Sequence, residues 1–168
     1  VIIEKEKELQ LLQENKIPTI RFMGGKEYDY LKTKFNLSKI KYEYDKNFFL
    51  KNKFLYPSYG IGGPFQNLEG NESIFKHENK NTKNMAVNTY IAFQTCYCLD
   101  MVQSKDDIIV SGPLVKNRTI LKILTALRPS QNIYVYDKQE STSLGASLLC
   151  ATNNKIKIIL KKNKKYSS

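Results

Sequence analysis

Apolar residues in the second half of the chain recur in patterns that alternate between helix and strand. Asn81–Thr82 offers a helix N-cap, and the apolar positions that follow to about Ser104 cover most of a helical circumference, which predicts a long buried helix. Ile108–Val110 is a short continuous apolar run, typical of a strand inside a parallel sheet. Leu114–Leu127 has leucine and isoleucine at helical spacing and predicts an amphipathic helix.

The chain continues this alternation towards its end. Ile133–Tyr136 predicts a second strand, and Ser141 or Thr142 would cap a helix that ends near Thr152. Lys155–Leu160 favours a last short strand. Helix, strand, helix, strand and helix in succession indicate an α/β fold with parallel strands.

The first half is less regular. Pro18–Met23 predicts a short strand that ends at Gly24–Gly25, and Lys26–Phe35 predicts a helix. Between residues 36 and 81 the periodicity fades, which indicates an irregular insertion of loops with a few short strands. We therefore expect one domain over residues 1–154, followed by a short strand and a basic tail over 155–168.

The net charge of +11 raises the question of a nucleic-acid partner. Arginine, which suits bidentate contacts with phosphates and bases, occurs at only three positions, so the excess charge comes from lysine. The densest basic run, Lys161–Lys165, falls in a polar tail. This composition favours a solvated basic surface over a nucleic-acid-binding face.

Other bulk features narrow the function classes. No run of about 18 apolar residues is present, which argues against a transmembrane helix, and the charged start Val1–Lys7 does not resemble a signal peptide. Three cysteines form no disulfide framework and fit a reducing cytoplasm. With His77 as the single histidine, a histidine-based triad or a multi-histidine metal site is not expected.

Two predicted strands end in glycine, at Met23-Gly24-Gly25 and at Val110-Ser111-Gly112. Ligands of open α/β sheets bind beyond the carboxyl ends of the strands, and glycine lets a ligand approach the backbone closely. Both segments are also compatible with simple turns that need a permissive backbone. Neither is a Walker loop or a dinucleotide-binding fingerprint.

The chain also resembles a known family. Ile109–Asn117, IVSGPLVKN, with the leucine-rich helix and strand behind it and then Ser141–Leu149, STSLGASLL, resembles the C-terminal domain of FGGY-family carbohydrate kinases. Pro18–Tyr28, PTIRFMGGKEY, and the segment from Pro57 to Phe65 resemble the fuculokinase-like and sugar-alcohol kinase branch. The similarity runs in order over residues 17–152.

This resemblance implies the actin-like ATPase fold, in which ATP lies between two RNase H-like domains and the sugar lies deep in the cleft. Residues 1–154 would form part of the C-terminal RNase H-like domain, incomplete at its N-terminal side. The family's two phosphate loops and its catalytic aspartate lie upstream of the matching region.

The resemblance also assigns roles to individual residues. Gly112 would approach the ribose and α-phosphate of the nucleotide, and Asn117 would form a hydrogen bond near the adenine. Gly24 and Gly25 would lie close to the nucleotide phosphates. Pro113 stands where the family has a second glycine; it removes one N–H donor but suits the first turn of a helix.

From this resemblance we expect the C-terminal nucleotide-binding part of an ATP- and Mg²⁺-dependent kinase of the cytoplasm that phosphorylates a hydroxyl of a sugar or polyol. The chain would have no catalytic residue or metal ligand of its own and would be inactive alone, because the phosphate loops and the catalytic aspartate lie upstream. Asp100, Asp106–Asp107 and Asp137 are candidates for a substitute base, but Asp106–Asp107 precede their strand and Asp137 suits a solvated loop. ATP and, through the N-terminal domain, the sugar would be its partners. No nucleic acid or membrane partner is expected, and a homodimer is left open. Two alternatives remain: a lysine-rich nucleic-acid-binding α/β domain and a non-catalytic actin-like module.

Overall fold

A computed structural model describes most of the chain as a mixture of helices and short strands. It describes residues 10–12, 15–37, 44–57, 59, 64–65, 68–136 and 164–165. Five strands and three α-helices are formed there: β1 Gln10–Leu12, β2 Asn15–Ile17, α1 Gly24–Lys34, α2 Lys80–Met101, β3 Ile108–Ser111, α3 Arg118–Leu127, β4 Ile133–Tyr136 and β5 Lys164–Lys165. Short 3₁₀ helices span Lys46–Lys51, Glu72–Phe75 and Pro113–Lys116.

The strands form two small sheets. In the larger one, β3 pairs in parallel with β4, from Ile108 opposite Ile133 to Ser111 opposite Tyr136. Parallel neighbours need a crossover, and α3 provides it. The α/β prediction with a parallel pair of strands is confirmed, and β1 and β2 form a separate antiparallel hairpin.

The strand β5 lies on the outer edge of β4 and runs antiparallel to it. Lys164 pairs with Val135 and Lys165 with Tyr134. These two lysines belong to the basic run for which the composition predicts a polar tail, and the division into a domain and a tail stays a prediction. Strand pairing uses the backbone alone, and the open edge of β4 offers N–H and C=O groups to any neighbouring segment.

The helix α2 is the centre of the fold, as its apolar girth predicts. It is buried along most of its length and packs against both α1 and α3. The main core cluster combines residues of the segment 18–23, the three α-helices and the irregular region: Ile20, Phe22, Tyr28, Leu31, Leu37, Phe48, Leu55, Phe75, Met85, Ala86, Val87, Tyr90, Ile91, Ala92, Cys98, Ile120 and Ile123. A smaller cluster joins the sheet to α3 through Ile108, Val110, Leu121, Leu124 and Ile133.

Three predicted helix boundaries differ from the structure, and two of them differ because of side-chain capping. The helix predicted over Leu114–Leu127 is a 3₁₀ turn followed by α3, because the Asn117 side chain accepts a hydrogen bond from the Ile120 N–H and caps the helix there. Similarly, Asn79 caps α2 by accepting from the Thr82 N–H. The helix α1 begins at Gly24, two residues earlier than predicted.

Some predicted strands are absent from the described residues. In the segment 18–23, the backbone of Ile20 makes a single bridge and no continuous strand forms. Between residues 36 and 81 the described parts contain 3₁₀ helices, and no strands, in the irregular insertion. The predicted helix 141–152 and strand 155–160 lie outside the described residues.

Candidate functional site

A cavity of about 410 Å³ lies where the start of α1 meets the end of β3. The helices α2 and α3 supply apolar side chains to its wall. The residues that line it are Arg21, Phe22, Met23, Gly24, Gly25, Lys26, Ile91, Thr95, Val110, Ser111, Leu114, Ile120, Leu121 and Leu124. The two glycine-bearing segments singled out in the sequence therefore meet at one cavity.

The two glycines at the start of α1 differ in their surroundings. A Cβ on Gly24 would lie 2.8 Å from Cε1 of Phe22, so this glycine lets the aromatic ring pack against the helix start. A Cβ on Gly25 would meet no atom within 4 Å, so the backbone there faces open space. Met23 precedes the helix without a side-chain cap. The first N–H groups of an α-helix have no acceptor within the helix, which makes this end of α1 suited to an anion.

The turn after β3 depends on Gly112. Its φ of 87° and ψ of −171° belong to a region that is essentially restricted to glycine. Pro113 then begins the 3₁₀ turn Pro113–Lys116, where a missing N–H is tolerated. Gly112 and Pro113 do not line the cavity themselves, but Ser111 before them and Leu114 after them do.

Asn117 lies beneath this turn and is 3% exposed. Its Oδ1 accepts the Ile120 N–H at 3.2 Å, and its Nδ2 donates to the Tyr28 hydroxyl at 3.1 Å and to Asn88 Oδ1 at 2.7 Å. Both amide hydrogens of Asn117 are therefore used within the protein, which leaves one lone pair of Oδ1 for any other partner. Its predicted contact with adenine stays a prediction, and the structure adds a capping and bridging role.

Asn88 completes this buried group of side chains. It is fully buried on α2, and its Nδ2 has no hydrogen-bond partner among the described residues. An unpaired buried donor costs roughly 1–3 kcal/mol. We call Tyr28, Asn88 and Asn117 the amide cluster; it joins α1, α2 and the N-terminus of α3.

A buried carboxylate next to this cluster was not identified from the sequence. Glu27 is 2% exposed; its Oε2 accepts a hydrogen bond from the Tyr90 hydroxyl and lies 3.4 Å from the Tyr59 N–H. Burial, and then the bond to Glu27, raises the pKa of Tyr90, and burial raises the pKa of Tyr59. A signal was available, because Glu27 precedes the buried Leu31 by one helical turn and shares its face.

Two of the carboxylates considered as a substitute base have structural partners. Asp100 pairs with Arg128 at 2.5 Å, and Asp107 accepts from the backbone and side-chain nitrogens of Asn132. Asp137 lies outside the described residues. Within the described ranges, no group of three or more His, Cys, Asp or Glu side chains could hold a metal.

Over the same described residues, the structure contains no helix with the length and hydropathy needed to cross a membrane.

Comparison with known proteins finds a matching family model and similarity to a solved structure. Residues 12–157 match the family model "Carbohydrate kinase FGGY, C-terminal domain". The fold is similar to that of a carbohydrate kinase from Novosphingobium aromaticivorans, with a TM-score of 0.61 and 21% sequence identity. This similarity covers 82% of the present chain and 31% of that kinase, so the chain spans about a third of its length. No curated protein sequence matches the chain.

The resemblance found in the sequence motifs is thereby confirmed at the level of the family. The family model extends over all the segments that meet at the cavity, from Arg21 to Leu124. FGGY carbohydrate kinases generally use ATP. The ordered motifs, the family match and the shared fold agree: this chain belongs to the family of FGGY carbohydrate kinase C-terminal domains.

Proposed function

We propose that this chain is the nucleotide-binding C-terminal part of an ATP-dependent carbohydrate kinase, and that the nucleotide binds at the cavity between α1 and β3. The observation that carries the proposal is the meeting of Gly24–Gly25 with Ser111 at one cavity, because both segments were identified separately from the sequence. Membership of the FGGY family supports the choice of ATP.

The residues present fit a nucleotide. The start of α1, with Gly25 facing open space, provides N–H groups for the phosphates. Apolar side chains of α3, such as Ile120 and Leu121, would contact the flat adenine and ribose. Gly112 would let the ribose approach the turn after β3, since a Cβ there would also meet no atom within 4 Å. Pro113 would fix the backbone at the start of that turn, and Asn117 would stabilise its end by capping α3.

The described residues do not fit a Mg²⁺ site of their own. Mg²⁺ in phosphoryl-transfer enzymes is held largely by the phosphates and a few carboxylates, and we place those carboxylates and the catalytic base outside this chain. We therefore propose that the chain is inactive alone and that the parent protein transfers the phosphoryl group to a sugar or polyol hydroxyl in the cytoplasm. Its place in the fuculokinase-like and sugar-alcohol branch, and an RNase H-like domain over residues 1–154, are part of this proposal.

Calorimetric titration of the chain with ADP tests the site. Gly25→Asp would place a carboxylate where the phosphates bind, and Gly25→Asn is its matched neutral control because the two side chains have the same shape. We expect Gly25→Asp to weaken ADP binding by about tenfold or more, since like charges disfavour binding at close range. Gly25→Asn should change affinity by about threefold at most. Equal effects of the two substitutions would place the phosphates elsewhere.

The same titration separates the alternatives. A nucleic-acid-binding surface would bind an oligonucleotide with an affinity that falls steeply between 50 and 200 mM salt, on the order of 10³-fold for several phosphate contacts. A nucleotide site should bind ADP in preference to the oligonucleotide over that range. Wild-type protein that binds the oligonucleotide and not ADP would reject the proposed function.

A further inference from the structure

The amide cluster lies directly behind the two segments that form the mouth of the cavity. Tyr28 is one helical turn after Gly24, and Asn117 follows Gly112 through the single turn Pro113–Lys116. The link from Tyr28 to Asn117 joins residues 89 positions apart in the sequence. It is the hydrogen bond that connects α1 to the N-terminus of α3 among the bonds described above.

The cluster is also costly, which argues that it does more than fill space. All three side chains are at most 6% exposed, and Asn88 Nδ2 is left without a partner among the described residues. Apolar side chains of similar size would avoid that cost. Hydrogen bonds fix the distance and orientation of the groups they join, whereas apolar contacts are non-directional. The polar cluster therefore specifies one arrangement of the elements that it joins.

We propose that Tyr28, acting through Asn117 and Asn88, is a positioning residue. It sets the separation between the first turn of α1 at Gly24–Gly25 and the turn after β3 at Gly112, which we call the two glycine turns. This inference rests on the proposed nucleotide site, because the separation of these turns would determine how well they grip one ligand. The Asn117 cap transmits the position of Tyr28 to α3 and to the 3₁₀ turn above it. Tyr28 itself does not line the cavity.

The test uses Tyr28→Phe, which removes only the oxygen that accepts from Asn117. Tyr30→Phe is the matched control, since Tyr30 lies on the same helix and is 44% exposed. Hydrogen–deuterium exchange of the nucleotide-free protein is the first readout. With Tyr28→Phe we expect faster exchange of the amides at both 24–26 and 111–117, with amides in the middle of α2 unchanged. A uniform increase over the whole protein, or no change, would overturn the inference.

Calorimetric titration with ADP is the second readout. Tyr28→Phe should weaken ADP binding roughly three- to tenfold, the range expected for one hydrogen bond, and Tyr30→Phe should leave it within about twofold. In an Asn117→Ser background, the same change at Tyr28 should have no further effect on affinity, because the hydrogen bond between the Tyr28 hydroxyl and Asn117 Nδ2 is already absent. Additive effects would show that Tyr28 does not act through Asn117 and would overturn the inference.

The two readouts keep this inference separate from the proposed function. Exchange at the two turns is measured without nucleotide, so it judges the positioning role on its own. Failure of the wild-type chain to bind ADP would reject the proposed site. If Tyr28→Phe did not speed up amide exchange at both turns together, the role of the amide cluster would be rejected instead.

Discussion

Replacement of Gly112 by alanine isolates the energetic cost of the backbone at the turn after β3. A Cβ at this position would meet no atom within 4 Å, so the substitution introduces no steric clash. Its effect therefore comes from the φ of 87° and ψ of −171°, which cost a non-glycine residue about 1–3 kcal/mol. Alanine also restricts the unfolded chain, which offsets about 0.4–1 kcal/mol. We expect a net loss of about 1–2 kcal/mol in the free energy of unfolding.

Urea denaturation followed by circular dichroism measures this loss as a shift in the midpoint at constant slope. Gly25→Ala is the control, because this glycine also faces open space but lies in the first turn of α1 without a positive φ. Alanine in a helix is favoured over glycine by about 0.5–1 kcal/mol, so the control should be neutral or slightly stabilising. If Gly112→Ala proved as stable as the wild type, or if both variants lost equal stability, the conformational argument would be refuted.

Two further predictions concern buried polar groups. Asn117→Ala removes a helix cap and leaves the acceptor Oδ1 of Asn88 unpaired, so it should lower the free energy of unfolding by about 2–4 kcal/mol. Asn117→Ser keeps a capping oxygen, so it should lose about 1 kcal/mol less in the same urea titration. Equal losses for the two variants would argue against the cap. Burial raises the pKa of the Cys98 thiol from 9.0 to about 12, so the unfolded chain releases this proton first and stability should fall as pH rises from 9 towards 12. The free energy of unfolding should fall more steeply in the wild type than in Cys98→Ala, by about 1.4 kcal/mol per pH unit. Above pH 10, Tyr59 and Tyr90 add to the fall in both proteins because their pKa values are also raised. Parallel curves for the two proteins would contradict this prediction.

Much of the fold was predictable because its main elements have strong hydrophobic patterns. The helix α2 has apolar residues around much of its circumference, and β3 and β4 are short apolar runs; the structure buries most of α2 together with Ile108, Val110 and Ile133. Helix boundaries were harder to predict. Asn79, Asn81 and Thr82 are all acceptable caps by local rules, and the structure uses Asn79.

The candidate site divides in the same way between local and distant information. Glycine at the end of an apolar strand is a local signal, and Gly24, Gly25 and Ser111 do meet at the cavity; that a nucleotide binds there stays a prediction. The surroundings of Asn117 depend on Tyr28, from a helix far away in the sequence, and no local pattern specifies that contact. Glu27 was missed because a charged residue is normally interpreted as exposed, although its spacing from Leu31 places it on the buried face.

The unequal surroundings of Gly24 and Gly25 also have a practical use. Position 24 cannot accept a side chain without displacing the Phe22 ring, whereas position 25 opens directly onto the cavity. A cysteine introduced at 25 would carry a fluorescent label at the cavity mouth without disturbing the core. The native Cys98 is fully buried, but Cys96 is partly exposed, so Cys96 and Cys150 would first be replaced to leave the introduced thiol as the target of the label. Of these two adjacent glycines, Gly24 is therefore fixed by its packing against Phe22, whereas position 25 can carry a label that reports ligand entry.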